Sequence, residues 1–165
     1  MAEASSDNPL NTVILDSIQG KGYPVRDWLT SYPLIMVALD PYTHESAWIL
    51  ETAGQFLDHY TPADIRVAWL VASDDEGCRE FLGPWSEKYL TFADPQRAAI
   101  LGLGIEMLPA LVHVRNDGYT QVANGWDPTA WRAVAETLSK QLSWSRPMIP
   151  RPGDPVPYEG TRAAG

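Results

Sequence analysis

The stretch MLPALVHVRNDGYTQVA runs from Met107 to Ala123. Ala110 to Arg115 reads as a strand: apolar, β-branched and short. Asn116-Asp117-Gly118 is a hairpin turn, because Asn-Asp-Gly tolerates the left-handed backbone that tight turns need. Tyr119 to Ala123 returns as the second strand. A proline, Pro109, stands directly before the first strand, where it donates no ladder hydrogen bond.

Working outward, two further apolar runs read as buried strands, Leu34–Leu39 and Ile65–Ala72. In the second, Ile65, Val67, Trp69 and Val71 share one face. Tyr89–Phe92 is a shorter strand. Residues 45–60 have the spacing of an amphipathic helix, with Trp48, Ile49, Ala53, Phe56, Leu57 and Tyr60 on one stripe. Asp74 to Trp85 reads as a short helix ended at Gly83-Pro84. Asp94-Pro95 and Asp127-Pro128 each pair an N-cap with proline in the first turn. They open helices to about Leu101 and through Trp131, Val134, Ala135, Leu138 and Leu142. Leu10, Val13, Ile14 and Ile18 have helical spacing, which Gly20 and Gly22 would end. Val25 to Leu29 is a link carrying Trp28.

Strands separated by helices must be joined by parallel crossovers, while the closing hairpin is antiparallel. The expected fold class is therefore α/β, with a mixed central sheet flanked by helices. Residues 1–9 are expected to form a flexible N-terminus and residues 10–145 the domain. Residues 146–165 hold five of the 14 prolines and are expected to be an extended tail outside the core.

At 165 residues the chain fits one domain. A formal charge of −9 argues against nucleic acid, whose phosphates need clustered Lys and Arg. There is no apolar run of 18 residues, so no membrane span is expected. MAEASSDNPL lacks the basic and apolar regions of a signal peptide, which points to a cytoplasmic location. Cys78 is the sole cysteine, so an intrachain disulfide and a two-thiol redox cycle are excluded. No metal or other cofactor is expected. His44, His59 and His113 lack ligand spacing, and Gly102-x-Gly104 lacks the third glycine of a dinucleotide loop.

The element order and the Leu108-Pro109-Ala110 segment resemble the thioredoxin-like fold. That resemblance implies a cis-proline at Pro109, facing a strand-to-helix corner that carries Cys-x-x-Cys in active members. Here the corner is DPYTHES, residues 40–46, and Thr43-x-x-Ser46 stands where two thiols would be. Hydroxyls cannot form a disulfide, so dithiol exchange is lost. Serine in place of a peroxidatic cysteine would likewise end peroxide chemistry. Gly22-Tyr23, Asp27-Trp28-Leu29, Asp40-Pro41, Leu108-Pro109-Ala110-Leu111-Val112 and Asn124-Gly125-Trp126 with Trp131 are similar to a narrower group. This is the HyaE/HupG/HoxO group, whose members assist maturation of the nickel-iron hydrogenase small subunit. The resemblance spans roughly residues 10–142. Residues 74–92 depart from it as an insertion in the manner of peroxiredoxin and TlpA-type proteins, and the proline-rich tail is also extra.

The function this resemblance implies is that of a non-catalytic chaperone or assembly factor. Its implied partner is a hydrogenase small subunit or that subunit's basic twin-arginine signal. The expected partner-binding residues are Tyr42, Thr43, His44, Ser46, Leu108 and Pro109, because the backbone at Leu108 can pair with an extended peptide. Met148 and Ile149 are expected to add contacts from the tail. In the corner, Thr43 or Ser46 is expected to cap the helix, with Glu45 favourable in its first turn. Trp48 is expected in the core. His44 as a base toward Ser46 would need an orienting acid and an oxyanion hole that no motif marks. Two other readings stand beside the first: an accessory subunit of a larger complex, and a divergent TlpA- or peroxiredoxin-like oxidoreductase using Cys78.

Overall fold

The computed structural model describes residues 9–165, so most of the expected flexible N-terminus lies outside the described residues. The chain opens with α1 (Pro9–Thr12), a hairpin of β1 (Ile14–Ser17) and β2 (Gly22–Pro24), and α2 (Val25–Trp28). Next come β3 (Leu34–Leu39), α3 (His44–Trp48), α4 (Leu50–Tyr60) and β4 (Arg66–Val71). The middle holds α5 (Asp75–Leu82), α6 (Trp85–Lys88), β5 (Leu90–Ala93) and α7 (Ala98–Gly102). Then follow β6 (Met107–Leu108), β7 (Ala110–Val114), β8 (Thr120–Asn124), α8 (Pro128–Leu142) and β9 (Thr161–Arg162).

Seven strands form one mixed sheet in the order β2-β1-β5-β4-β3-β7-β8. β3, β4 and β5 run parallel, while β7 lies antiparallel to β3 and β8 to β7. The crossover strands and the closing hairpin thus take the directions expected of them. The period-two alternation sorts the sheet's two faces. Ile35, Val37 and Leu39 join Trp69, Val71 and Leu111 under α4 and α8, against Phe56, Leu57, Tyr60, Trp131 and Leu138. Leu34, Met36 and Ala38 face the other way, with Leu70, Ala110 and Val112, onto Val25, Leu29 and Ile100. Both faces are covered, which is why the central strands read as unbroken apolar runs.

Four expectations are corrected. The helix read across Leu10–Ile18 is a single turn followed by the hairpin. β1 gains ladder partners in β5 (Asp16 with Ala93, Ser17 with Phe92), and that pairing overrides the helical spacing. Gly22 faces Asp16 across the hairpin and leaves room for the Asp16 carboxylate, which a Cβ there would push aside. The 45–60 helix is two helices meeting at Ile49, and Trp48 is 57% exposed because, at about 100° per residue, it lies about 120° from the centre of the stripe of Ile49, Ala53, Phe56, Leu57 and Tyr60. The helix after Asp94-Pro95 starts only at Ala98. The Asp94 carboxylate nevertheless caps it, accepting from Ala99 N and Ile100 N at 3.2 and 2.8 Å, across a turn in which Arg97 sits at φ +62°. Finally, the tail is not outside the core, because Ile149 and Ala163 are buried.

Among the described residues no helix is long and apolar enough to cross a membrane. One buried polar group carries a pH consequence. His113 on β7 is fully buried, and neither ring nitrogen has a hydrogen-bond partner among the described residues. Burial first, and the Arg115 cation second, push its pKa down to about 4. The unfolded chain therefore binds this proton more readily. Stability is full above the ordinary value near 6.5 and falls as pH drops toward about 4. The loss should reach about 3 kcal/mol. Urea titrations at several pH values should show this slope in the native chain and its absence in His113→Leu.

Candidate functional site

The site is built where β3 ends. Asp40 closes the strand with a side chain only 5% exposed, and every polar atom it offers is used. Its N–H donates to Ser46 Oγ at 2.8 Å. Its Oδ1 accepts from Tyr42 N at 3.0 Å, and its carbonyl accepts from both Thr43 N and Thr43 Oγ1. This is an Asx-type turn, in which a short carboxylate side chain replaces a backbone acceptor. Its Oδ2 takes a 2.7 Å ion pair from Arg97, whose second nitrogen donates to Ala163 O.

This arrangement settles where the corner residues point. Thr43 occupies the N-cap position of α3, but its hydroxyl turns back to Asp40 O and makes no cap bond. Ser46 is buried with its oxygen held by Asp40 N, so it does not cap the helix either. Both residues therefore correct the capping expectation, because the turn around Asp40 uses their oxygens first. His44 is exposed and stacks on Trp48 at 6.4 Å, away from Ser46. His44 and Ser46 form no base–hydroxyl pair. Tyr42 stands 78% exposed, its hydroxyl 3.5 Å from Ser73 Oγ.

The Leu108-Pro109 peptide is cis. Ala38 pairs with Ala110 in the sheet, and carrying that register onward puts Asp40 opposite Leu108. The sequence-expected residues on the two sides thus converge. Two of them differ from expectation in what they offer. The Leu108 side chain is fully buried, and its backbone edge is already taken by Thr161 of β9. Ile149 lies in the core beneath α4 and α8, where it is not free to contact a partner, whereas Met148 is exposed.

The tail that occupies the edge is held along its length. Arg132 donates to Ile149 O at 2.7 Å, Thr52 to Asp154 at 2.8 Å, and Trp126 Nε1 to Pro155 O at 2.7 Å. Tyr158 and Trp126 exchange two backbone bonds, and the Tyr158 hydroxyl donates to Glu45 O at 2.5 Å. Burial, then the Glu45 charge, holds that phenol well above its ordinary range, so it remains a donor. Two glycines make room. A Cβ on Gly125 (φ +71°) would lie 2.4 Å from Glu159 O, and one on Gly160 (φ +91°) would lie 2.3 Å from Leu108 O. Arg97, Tyr158, Gly160 and Ala163 are site residues that the sequence reading missed. Only Tyr158 carried a signal, as the one aromatic in the proline-rich stretch.

Cys78 sits near the corner, on α5 beside Ser73, with Sγ 3.7 Å from Ser73 O. It is buried. Burial, then Asp75 and Asp74, push its thiol up to about 12, only partly opposed by Arg79. At pH 8 the thiolate fraction is then roughly a thousandfold below that of an unperturbed thiol, and greater intrinsic nucleophilicity offsets only part of this. The native protein should react with iodoacetamide about a hundredfold more slowly than the urea-unfolded chain. Equal rates followed by mass spectrometry would show an accessible thiol. Among the described residues no three or more His, Cys, Asp or Glu are grouped to hold a metal ion.

Searches of protein-family models and of curated proteins find no match. Solved structures do match. A hypothetical protein from Sinorhizobium meliloti superposes with a TM-score of 0.67 at 11% identity, over 95% of this chain and 92% of that one. A secreted Mycobacterium tuberculosis disulfide oxidoreductase homologous to E. coli DsbE gives 0.58 at 15% identity, over 82% and 96%. A cysteine-to-serine variant of Xanthomonas campestris peroxiredoxin Q gives 0.61 at 11% identity, over 81% and 93%.

The chain has a thioredoxin-like fold.

In thioredoxin-like terms, Thr43 and Ser46 stand at the redox corner and Pro109 is the cis-proline facing it. At these identities the likeness extends to the fold alone. The insertion of α5, α6 and β5 between the crossover strands belongs to the same sheet, because β5 pairs with both β4 and β1.

Proposed function

We propose that this protein is a thioredoxin-like binding module without dithiol chemistry, acting as a chaperone or assembly factor for another polypeptide. One observation carries the reading. At the redox corner both hydroxyls are consumed by the turn around Asp40, while Tyr42, His44 and Trp48 are left exposed on its rim. A rim of aromatics over a rigid turn is suited to holding protein and lacks a nucleophile for transforming it. The sequence resemblance supplies the partner to test first, a nickel-iron hydrogenase small subunit or its basic twin-arginine signal. The charge of −9 would favour approach of a basic segment. A chain with one buried cysteine also suits the reducing cytoplasm.

The test is affinity capture of the full chain from its native host, comparing native protein with Tyr42→Ala/His44→Ala. Both side chains are exposed, so the fold should survive the change. A partner recovered about tenfold less by the variant supports the reading, since buried aromatic anchors dominate interface energy. Equal recovery by both proteins would defeat it.

A second reading is favoured by the fold likeness to a disulfide oxidoreductase and a peroxiredoxin: a divergent oxidoreductase using Cys78. The burial and raised pKa of that thiol weigh against it. Peroxide consumption or disulfide reduction by the native chain, lost in Cys78→Ser, would replace the first reading with this one.

A further inference from the structure

Residues 158–165 lie along β6 in the manner of a bound peptide. Thr161 and Arg162 pair antiparallel with Leu108 and Met107, and Ala163 N donates to Glu106 O at 2.9 Å. Three side-chain positions are read. The Tyr158 ring meets Trp48 edge-on at 5.6 Å while its hydroxyl reaches Glu45 O. Gly160 passes where only a hydrogen fits against Leu108 O. Ala163 is buried in the cluster of Leu103, Ile105 and Leu108, its carbonyl held by Arg97. Between these positions Glu159 and Arg162 face solvent. A paired backbone with selected side chains received by the surface is the logic of strand addition.

The tail has two parts. Its inner part is fixed by buried Ile149 and by the bonds to Arg132, Thr52 and Trp126. Its outer part begins after Val156, which is 82% exposed, and Pro157. Neither of these two residues has a hydrogen bond among the described residues. The outer part joins the inner part through this unbonded stretch, so lifting it breaks the Tyr158 bonds to Trp126 and Glu45, the Arg97 bond and the β6 ladder and none of the bonds that hold the inner part.

We infer that the β6 edge is a binding site for an extended polypeptide segment of one pattern: an aromatic residue, glycine two positions on and a small apolar residue three positions further. Residues 158–165 are its resident competitor. The inference rests on the proposed protein-binding function and deepens it, because a partner segment must displace the chain's own. A tether this short holds the competitor at an effective concentration on the order of millimolar, so the closed site discriminates against weak ligands.

The test uses the full chain and a fluorescent synthetic peptide of residues 156–165. In Gly160→Val the new side chain cannot pass Leu108 O, and Thr161→Pro loses the strand N–H. Either should unlatch the outer tail, with near-UV circular dichroism reporting an intact body. Fluorescence anisotropy should show the peptide binding to both variants at least about tenfold more tightly than to the native chain. A peptide carrying the Gly160→Val change should bind to neither. Hydrogen exchange on the native chain should show the Thr161 and Ala163 amides opening separately from those of β7. No peptide binding by either folded variant, equal binding by the native chain, or exchange of 158–165 only with global unfolding would overturn the inference. Those failures would leave the corner reading untouched, because that reading is tested by Tyr42→Ala/His44→Ala, which keeps the Trp48 contact with Tyr158. Conversely, peptide binding together with unchanged partner capture would keep the edge site and remove the corner.

Discussion

Trp126→Ala lowers the unfolding free energy by about 4 kcal/mol and frees the C-terminal segment in the same step. The indole is 1% exposed and meets Trp131 edge-on at 5.0 Å. Removing it leaves a cavity that Trp131, itself tied by Nε1 to Gly125 O, cannot fill by moving. The same side chain donates to Pro155 O, and the same backbone pairs with Tyr158. Trp126→Phe separates the two effects. It keeps most of the ring and loses the N–H, so it should cost about 1–2 kcal/mol and loosen chiefly the tail. Equilibrium urea denaturation measures the first quantity. Trypsin measures the second at the Arg162-Ala163 bond, since the bonds after Arg146 and Arg151 are followed by proline and resist cleavage. A Trp126→Ala protein that is equally stable and equally slow to be cut would disprove the coupling of core and tail.

Asp40→Ala should cost a similar amount, about 4 kcal/mol, by a different route. The pair it forms with Arg97 is largely buried, at 5% and 18% side-chain exposure. Removing the carboxylate leaves the guanidinium without its charge partner, and breaking one side of such a pair is costly because the other charge cannot be rehydrated. The Tyr42 amide loses its acceptor as well. Asp40→Asn keeps an acceptor for that amide and loses the charge, so its loss should fall between native and Asp40→Ala. Because Arg97 also holds Ala163 O, both variants should speed trypsin cleavage after Arg162. Denaturation midpoints within about 0.5 kcal/mol of native would show that the pair is solvated in solution.

Much of the sheet was legible because its signals are local. Leu34–Leu39, Ile65–Ala72 and the Asn116-Asp117-Gly118 turn each state their structure within a few residues, through short unbroken apolar runs and turn chemistry. Asp127-Pro128 announces α8, and the Asp127 carboxylate does accept from Thr129 N and Ala130 N. The first strand was not legible. Leu10, Val13, Ile14 and Ile18 satisfy a helical period, and pairing with β2 on one side and with β5, some 75 residues further on, on the other makes an extended hairpin the better use of them. Trp48 was misplaced for a different reason. At about 100° per residue it lies about 120° around the helix from the centre of the stripe shared by Ile49, Ala53, Phe56, Leu57 and Tyr60, so its apolar character and not its position suggested the core.

The sequence by itself determined that a thioredoxin-like sheet would form and that its corner would hold no thiol. Both are properties of residues close together along the chain. The tertiary structure alone decided what the corner and edge offer. Asp40 consumes the hydroxyls of Thr43 and Ser46, Arg97 ties that turn to Ala163, and residues 158–165 occupy the edge beside Leu108. The physical reason is that the Arg97 ties join residues 57 and 66 positions apart, with no local period or turn chemistry to announce them. They exist only because the sheet brings the end of β3, the turn before α7 and the tail to one place.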